Sequence, residues 1–204
     1  MESHRKPFIL NEKGVNMSLI DRDVFLKGEN ILLRPLQIED VDGNYQYWLN
    51  DEEVVKFNSH GRFPETPEKL RDYIREVHSS QDKLVLAVLD KKTGKHIGNV
   101  SLQRIQWIDR NAEIAFLLGE LDFYNRGVMF EAGKLLIQHG FYRLNLHRIY
   151  CGTSSENIAM QKLALKLGMS QEGIRKEALF KDGKYLDLIE YGLLRTHLSF
   201  LQKA

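Results

Sequence analysis

Residues Leu121 to Leu136, LDFYNRGVMFEAGKLL, pass from loop to amphipathic helix at a single glycine, and the rest of the chain is placed relative to that change. Val128, Ala132, Leu135 and Leu136 recur at i, i+4, i+7 and i+8 as one apolar stripe, while Glu131, Lys134 and Gln138 lie off it. The spacing predicts a helix that begins near Gly127. Its first backbone N–H groups have no partner within the helix, and Arg126 adds positive charge at the same end. Together they make a site for an anion, most naturally a phosphate. Asn111 to Leu118, NAEIAFLL, reads as a strand leading into it, so the unit is strand, short loop, glycine, helix. Neither the Gly-Lys-Ser/Thr ending of a P-loop nor the three spaced glycines of a dinucleotide-binding turn is present.

A chain of 204 residues is long enough for one well-buried core and short for two. One domain is therefore expected over residues 28–204, behind a loosely attached N-terminal arm at 1–27. A formal net charge of +1 leaves no clustered positive excess, so neither a nucleic acid nor a membrane is expected as partner. Cys151 is the sole cysteine, which excludes an internal disulfide framework and points to a reducing compartment. No apolar run approaches membrane-spanning length, and the start, MESHRKPFILNEKGVN, lacks the pattern of a signal peptide. A cytoplasmic protein is expected.

Asn30 to Pro35 is the first strand, ended by its proline. Ile38 to Phe57 reads as helical, with Val41, Tyr45, Trp48 and Leu49 on one face, a break near Asn50-Asp51, and Asp51 as N-cap of a second short helix. Thr66-Pro67 opens another helix, whose buried face is Leu70, Tyr73, Ile74 and Val77. Leu84 to Leu89 is continuously apolar, as a strand covered on both faces would be. With His96 to Trp107 and Asn111 to Leu118 it makes an antiparallel meander that delivers the chain to Gly127. Beyond the helix come a strand at His147 to Thr153, a helix at Ser155 to Leu167 stopped by Gly168, and a hairpin of Met169 to Phe180 with Lys184 to Leu194 across Asp182-Gly183. Arg195 to Ala204 reads as a terminal helix. The fold class is α/β (α+β), a mixed, mainly antiparallel twisted sheet flanked by helices.

Tyr124-Asn125-Arg126-Gly127-Val128-Met129, followed by Glu131-Ala132, resembles the pyrophosphate loop of the GNAT N-acetyltransferases, in the branch of the ribosomal-protein and spermidine acetyltransferases. That loop usually runs aromatic-Gly-Lys/Arg-Gly-x-Ala/Gly, so one glycine is kept while Asn125 and Met129 fill two small positions. The departures set two demands. Met129 must turn its side chain into the core, away from the phosphates, and Asn125 must accept the left-handed backbone that relatives give to glycine. Glu156-Asn157 before Lys166-Leu167-Gly168-Met169 is similar to a later helix of the family. Glu172-Gly173, Arg175, Lys181 to Tyr185 and Asp187 are similar to its C-terminal hairpin, and the element order matches from Asn30 to about Leu194.

The resemblance implies an acetyl-CoA-dependent N-acetyltransferase in which a primary amine attacks the thioester directly, with no metal and no covalent intermediate. Such a reaction needs the cofactor held by its pyrophosphate, the amine deprotonated, the oxyanion stabilised and the thiolate protonated. By position, the amides of Arg126, Gly127, Val128, Met129 and Phe130 hold the pyrophosphate, and Phe116, Leu117 and Leu118 supply main-chain groups to the pantetheine arm. Asn157 matches a family asparagine that bonds the pantetheine region, although an asparagine at a helix start also serves as an N-cap. Glu113, on the strand beside the expected thioester, is the candidate general base; a solvated carboxylate is its structural alternative. The usual general-acid positions hold Ala164 and Met160, which leaves Tyr191 as substitute and His139 and His147 as further titrating groups. Cys151 reads as a small core residue rather than an acyl carrier, and Glu131 as a complement to the helix dipole.

The acceptor is a small-molecule or peptide amine. Trp48 to Val54 and His96 to Val100 look like relatives that acetylate amino sugars on nucleotide carriers, and a protein N-terminus and polyamines stay open beside them. A homodimer is implied by family precedent alone. The rival class is a catalytically degenerate acetyl-CoA-binding sensor or scaffold.

Overall fold

The computed structural model describes residues 23–58 and 60–200, so most of the expected arm and the last four residues lie outside the described residues. In chain order the elements are β1 (Leu26–Lys27), β2 (Ile31–Pro35), a 3-10 turn (Ile38–Asp42), α1 (Tyr45–Trp48), α2 (Glu52–Val55), α3 (Pro67–Ser79), β3 (Leu84–Asp90), β4 (His96–Gln106) and β5 (Asn111–Leu118). A 3-10 turn (Leu121–Phe123) then leads to α4 (Val128–Tyr142), β6 (Arg148–Ser154), α5 (Ile158–Lys166), β7 (Ser170–Lys181), β8 (Lys184–Leu194) and a 3-10 segment (Arg195–Phe200). The strands form one sheet in the order β1-β2-β3-β4-β5-β6-β8-β7, antiparallel at every step except β5 to β6. The mixed, mainly antiparallel sheet with flanking helices is the class expected from the sequence.

The sheet separates two cores. Leu86 and Val88 of β3 join Val100 and Leu102 of β4 and the inner faces of α4 and α5, while Val85, Ala87 and Leu89 face α1 and α3 on the other side. That division explains the unbroken apolar run of β3, since alternate residues enter different cores. Local signals fix the helix starts. Asp51 accepts from the N–H groups of Glu53 (2.9 Å) and Val54 (3.2 Å), and Thr66 accepts from Lys69 N–H at 3.3 Å with Pro67 at the first helical position. Asp182 (φ 49°) and Gly183 (φ 80°) give the hairpin turn two left-handed residues, as a tight I′ turn requires.

Three sequence expectations are corrected. The helix expected from Ile38 to the break near Asn50-Asp51 is a 3-10 turn followed by a separate short helix, with Asp40 held in the interior by Arg34 (2.8 and 2.5 Å) and accepting from Gln37 N–H (2.8 Å); the second short helix, capped by Asp51, is present. Leu26 and Lys27 pair with Leu33 and Leu32, so the sheet starts before residue 28. The terminal segment is 3-10 rather than α-helical through Phe200.

Candidate active site

β5 and β6 pair only through Asn111–Arg148, Ala112–Ile149 and Glu113–Tyr150. Beyond these, Ile114 to Leu118 continue along β4 while Cys151 to Ser154 follow β8, so the sheet opens into a wedge. Strand alternation says which main-chain groups face it. Gly119 N–H donates to Ile97 O at 3.0 Å, so Leu117, two residues earlier, also faces β4. Phe116 and Leu118 therefore turn their N–H and C=O groups into the wedge.

The chain leaves β5 and enters α4 through two left-handed residues, Asn125 (φ 60°) and Gly127 (φ 77°). Asparagine thus takes the conformation required of it. A Cβ at Gly127 would meet nothing within 4 Å, so the backbone is open in front of the helix. Glu131 N–H returns to Gly127 O at 3.1 Å, while the preceding N–H groups, of Val128, Met129 and Phe130, have no intrahelical acceptor. Met129 is buried in the core, its Cε 2.6 Å from where a Cβ on Gly98 would stand, and leaves the helix mouth clear. Arg126 is exposed beside that mouth, its guanidinium 5.0 Å from the Phe123 ring centroid. Glu131 is occupied elsewhere: its carboxylate accepts from Asn30 N–H (3.0 Å) and Asn30 Nδ2 (3.2 Å), tying α4 to the start of β2.

A cavity of about 890 Å³ lies along the wedge. Its floor is one face of the sheet, where Asn99, Ser101 and Gln103 of β4 stand opposite Leu117, Ala115 and Glu113 of β5. Gln103 Nε2 donates to Ser101 Oγ at 2.9 Å. Arg104 is a left-handed residue (φ 51°) at the irregularity between Gln103 and Gln106, and Arg104 Nη1 lies 3.0 Å from Glu113 Oε2. The bulge re-aims an arginine at the floor carboxylate, as bulges beside sites commonly do. Tyr45 of α1 forms part of the wall; burial first, and neighbouring Tyr73 and Asp40, raise its hydroxyl pKa so that it stays protonated.

The cavity brings together Glu113, Phe116, Leu117 and Asn157. Leu118 and residues Arg126 to Phe130 do not line it; Arg126 to Phe130 span the entry to α4. Asn157 Oδ1 accepts from Met160 N–H (3.1 Å) and caps α5, which leaves its Nδ2 as the available donor. Tyr191 is buried in the core and does not line the cavity. His139 packs its ring against Phe25, and it and His147 are also absent from the lining. Burial, with the Glu113 charge adding to it, pushes the Cys151 thiol up to about 12, and its Sγ faces Met169 Sδ at 3.6 Å, as befits a core residue. Asn99 belongs to the stretch His96 to Val100 named above, whereas Ser101 and Gln103 are not among the residues the sequence points to, although polar residues at i, i+2 and i+4 alternating with Val100 and Leu102 carry a period-two signal.

A model of the acetyltransferase (GNAT) domain matches residues 30–170. The chain belongs to the GNAT acetyltransferase family. Among GNAT relatives, it is 29% identical over 174 residues to the uncharacterized N-acetyltransferase p20 of Bacillus licheniformis, covering 84% of this chain and 96% of that protein. It is 27% identical over 161 residues to the spermidine N(1)-acetyltransferase of Escherichia coli K12, covering 78% of this chain and 83% of that one. The same fold occurs in the spermidine N-acetyltransferase of Vibrio cholerae solved with CoA and spermine, at a TM-score of 0.76 and 23% identity over 82% of this chain and 97% of that one. The GNAT chain is an N-acetyltransferase by this kinship. Among the described residues no group of three or more His, Cys, Asp or Glu is placed to hold a metal, and no helix is long and apolar enough to cross a membrane.

Proposed function

We propose that the protein transfers an acetyl group from acetyl-CoA to a primary amine, carried by an amino sugar on a nucleotide, a protein N-terminus or a polyamine. The observation that supports this best is the pairing of the β5–β6 wedge with an open, left-handed Gly127 at the mouth of α4. Bound acetyl-CoA supplies the activated acyl group. The N–H groups of Val128, Met129 and Phe130, with Arg126 and the clearance at Gly127, hold the pyrophosphate. Phe116 and Leu118 offer main-chain groups to the pantetheine arm, and one of their N–H groups faces the thioester oxygen. Leu117 contributes its side chain to the floor rather than its main chain. Asn157 Nδ2 is a further donor to the arm.

Glu113 takes the proton of the incoming ammonium through a water held by Ser101 and Gln103, since Arg104 occupies one of its oxygens. Tyr191 reaches the cavity by no route, so the departing thiolate takes its proton from solvent. The rival reading, a sensor that binds acetyl-CoA without turnover, draws support from Ala164 and Met160 at the usual donor positions. Thermal stabilisation by acetyl-CoA followed by thiol release with amine panels separates the two. Stabilisation with release is expected; stabilisation with no release from any amine favours the sensor, and no stabilisation sinks both.

A further inference from the structure

The loop after α2 and the tip of the β7–β8 hairpin line one part of the cavity, taken as its mouth, and two side chains bridge them. Arg62 Nη2 donates to Phe180 O (2.9 Å) and Lys181 Nζ to Val55 O (3.3 Å). The charge at this mouth is unbalanced. Of the cations lining the cavity, Lys56, Arg104 and Arg175 have carboxylate partners in Glu53, Glu113 and Glu190. Among the described residues Arg62, Lys181 and Lys184 have none, and the first two each donate to one carbonyl. Asp182, Glu65 and Glu156 also line the cavity, but among the described residues none of them forms an ion pair with these cations. Aromatic surface stands beside the charges: Phe57 and Phe180 line the mouth, and Phe180 packs against the exposed Tyr185 at 5.0 Å between centroids.

We infer that this mouth binds the carrier portion of the acceptor, and that the carrier is a nucleoside diphosphate. The inference rests on the acetyl-transfer reading above. Three cations without carboxylate partners suit a diphosphate, where Arg62 can give paired donors and the lysines point charges. The Phe57, Phe180 and Tyr185 surface offers a face on which a base can stack. A polyamine would approach Arg62, Lys181 and Lys184 with like sign, with Glu65 and Asp182 as the counter-charges from the same segments. The distance along the cavity from the mouth to Glu113 then belongs to the sugar, whose amine reaches the floor.

The test uses the full chain saturated with CoA, so that the cofactor's own nucleotide site is filled, and titrates UDP by calorimetry. UDP is expected to bind this complex, with affinity falling as salt rises. Arg62→Ala and Lys184→Ala are each expected to weaken UDP about tenfold while leaving the Kd of CoA unchanged. In turnover, UDP-linked amino sugars are expected to exceed spermidine and acidic N-terminal peptides, with the two variants raising acceptor KM. Stabilisation by CoA with no UDP binding, UDP affinity untouched by both variants, or preferred turnover of spermidine or of a peptide would each overturn the inference. Failure to bind CoA would instead remove the reading on which it stands.

Discussion

The two ends of the wedge are built by different means. The proposed cofactor end is made of main chain: a left-handed Gly127, amides without intrahelical acceptors at the start of α4, and strand groups of Phe116 and Leu118 where β6 departs. The proposed acceptor end is made of side chains from segments far apart in sequence, such as Arg62, which bonds the main chain of Phe180 across 118 residues. Main-chain recognition tolerates substitution, so Asn125 and Met129 can replace small residues without closing the helix mouth. Side-chain recognition does not, because under the proposal each cation at the mouth is itself the binding group. On this proposal the first end is the part common to the family, and the second is where this chain would acquire its own acceptor.

The contrast can be broken most severely at Gly98. A Cβ there would stand 2.3 Å from Leu117 O, a backbone atom that cannot step aside, and 2.6 Å from Met129 Cε. Gly98→Ala is expected to cost about 3 kcal/mol in denaturant unfolding and to disturb both ends together; a loss below 1 kcal/mol would show that β4 and β5 shift freely. Glu113→Gln sharpens the division, with kcat expected to fall about 100-fold while acetyl-CoA affinity holds. An unchanged rate would remove Glu113 as base. Gly127→Val is the converse. Its cost is a β-branched residue forced to a positive φ in front of the phosphates, expected to weaken acetyl-CoA about tenfold in a binding titration with little effect on a nucleotide at the mouth.

The smallest effect is a pH slope on the acceptor side. His96 Nε2 lies 2.8 Å from Asn99 Oδ1 and 3.0 Å from Gly98 O, with Nδ1 3.6 Å from Asp40 Oδ1. Burial lowers its pKa below the ordinary 6.5, although Asp40 pulls the other way. The unfolded chain therefore takes the proton first as pH falls. Stability is expected to be flat above 6.5 and to decline from there through the lower folded value, by less than about 1.4 kcal/mol per pH unit. Asp40 behaves differently. Burial opposes its ionisation, but the Arg34 hydrogen bond, His96 and Gln37 N–H hold it below the ordinary 3.8, so its contribution is lost only under that value. Unfolding midpoints of wild type and His96→Asn between pH 8 and 5 check this; an equal slope in both would assign it elsewhere.

What could be read in the sequence follows the same line. Strand β5 was bounded at Asn111 and Leu118, the glycine start of α4 was placed, and the caps at Asp51 and Thr66 and the Asp182-Gly183 turn were recognised, because each is decided by neighbouring residues. The 38–57 region was read as mostly helical because nothing local announces that Arg34 will draw Asp40 inward. Arg104 is harder still: a non-glycine residue adopts φ 51° only because the flanking strand pairs hold it there. Tyr191 failed as a cavity residue for a related reason, since the face a strand residue presents depends on register, and β8 turns Tyr191 into the core.

The burial of Met129 against Gly98 also constrains how such a chain can drift. A small residue at 129, as relatives' loops usually carry, would empty the space the thioether now fills, at a cost of about 2 to 5 kcal/mol unless the neighbours collapsed. A larger residue at 98 would need that same space and would still collide with Leu117 O. The two positions are therefore bound in inheritance: a lineage that restored the small loop residue would have to refill the volume from elsewhere in the helix–sheet seam, and until it did, the unusual loop would persist.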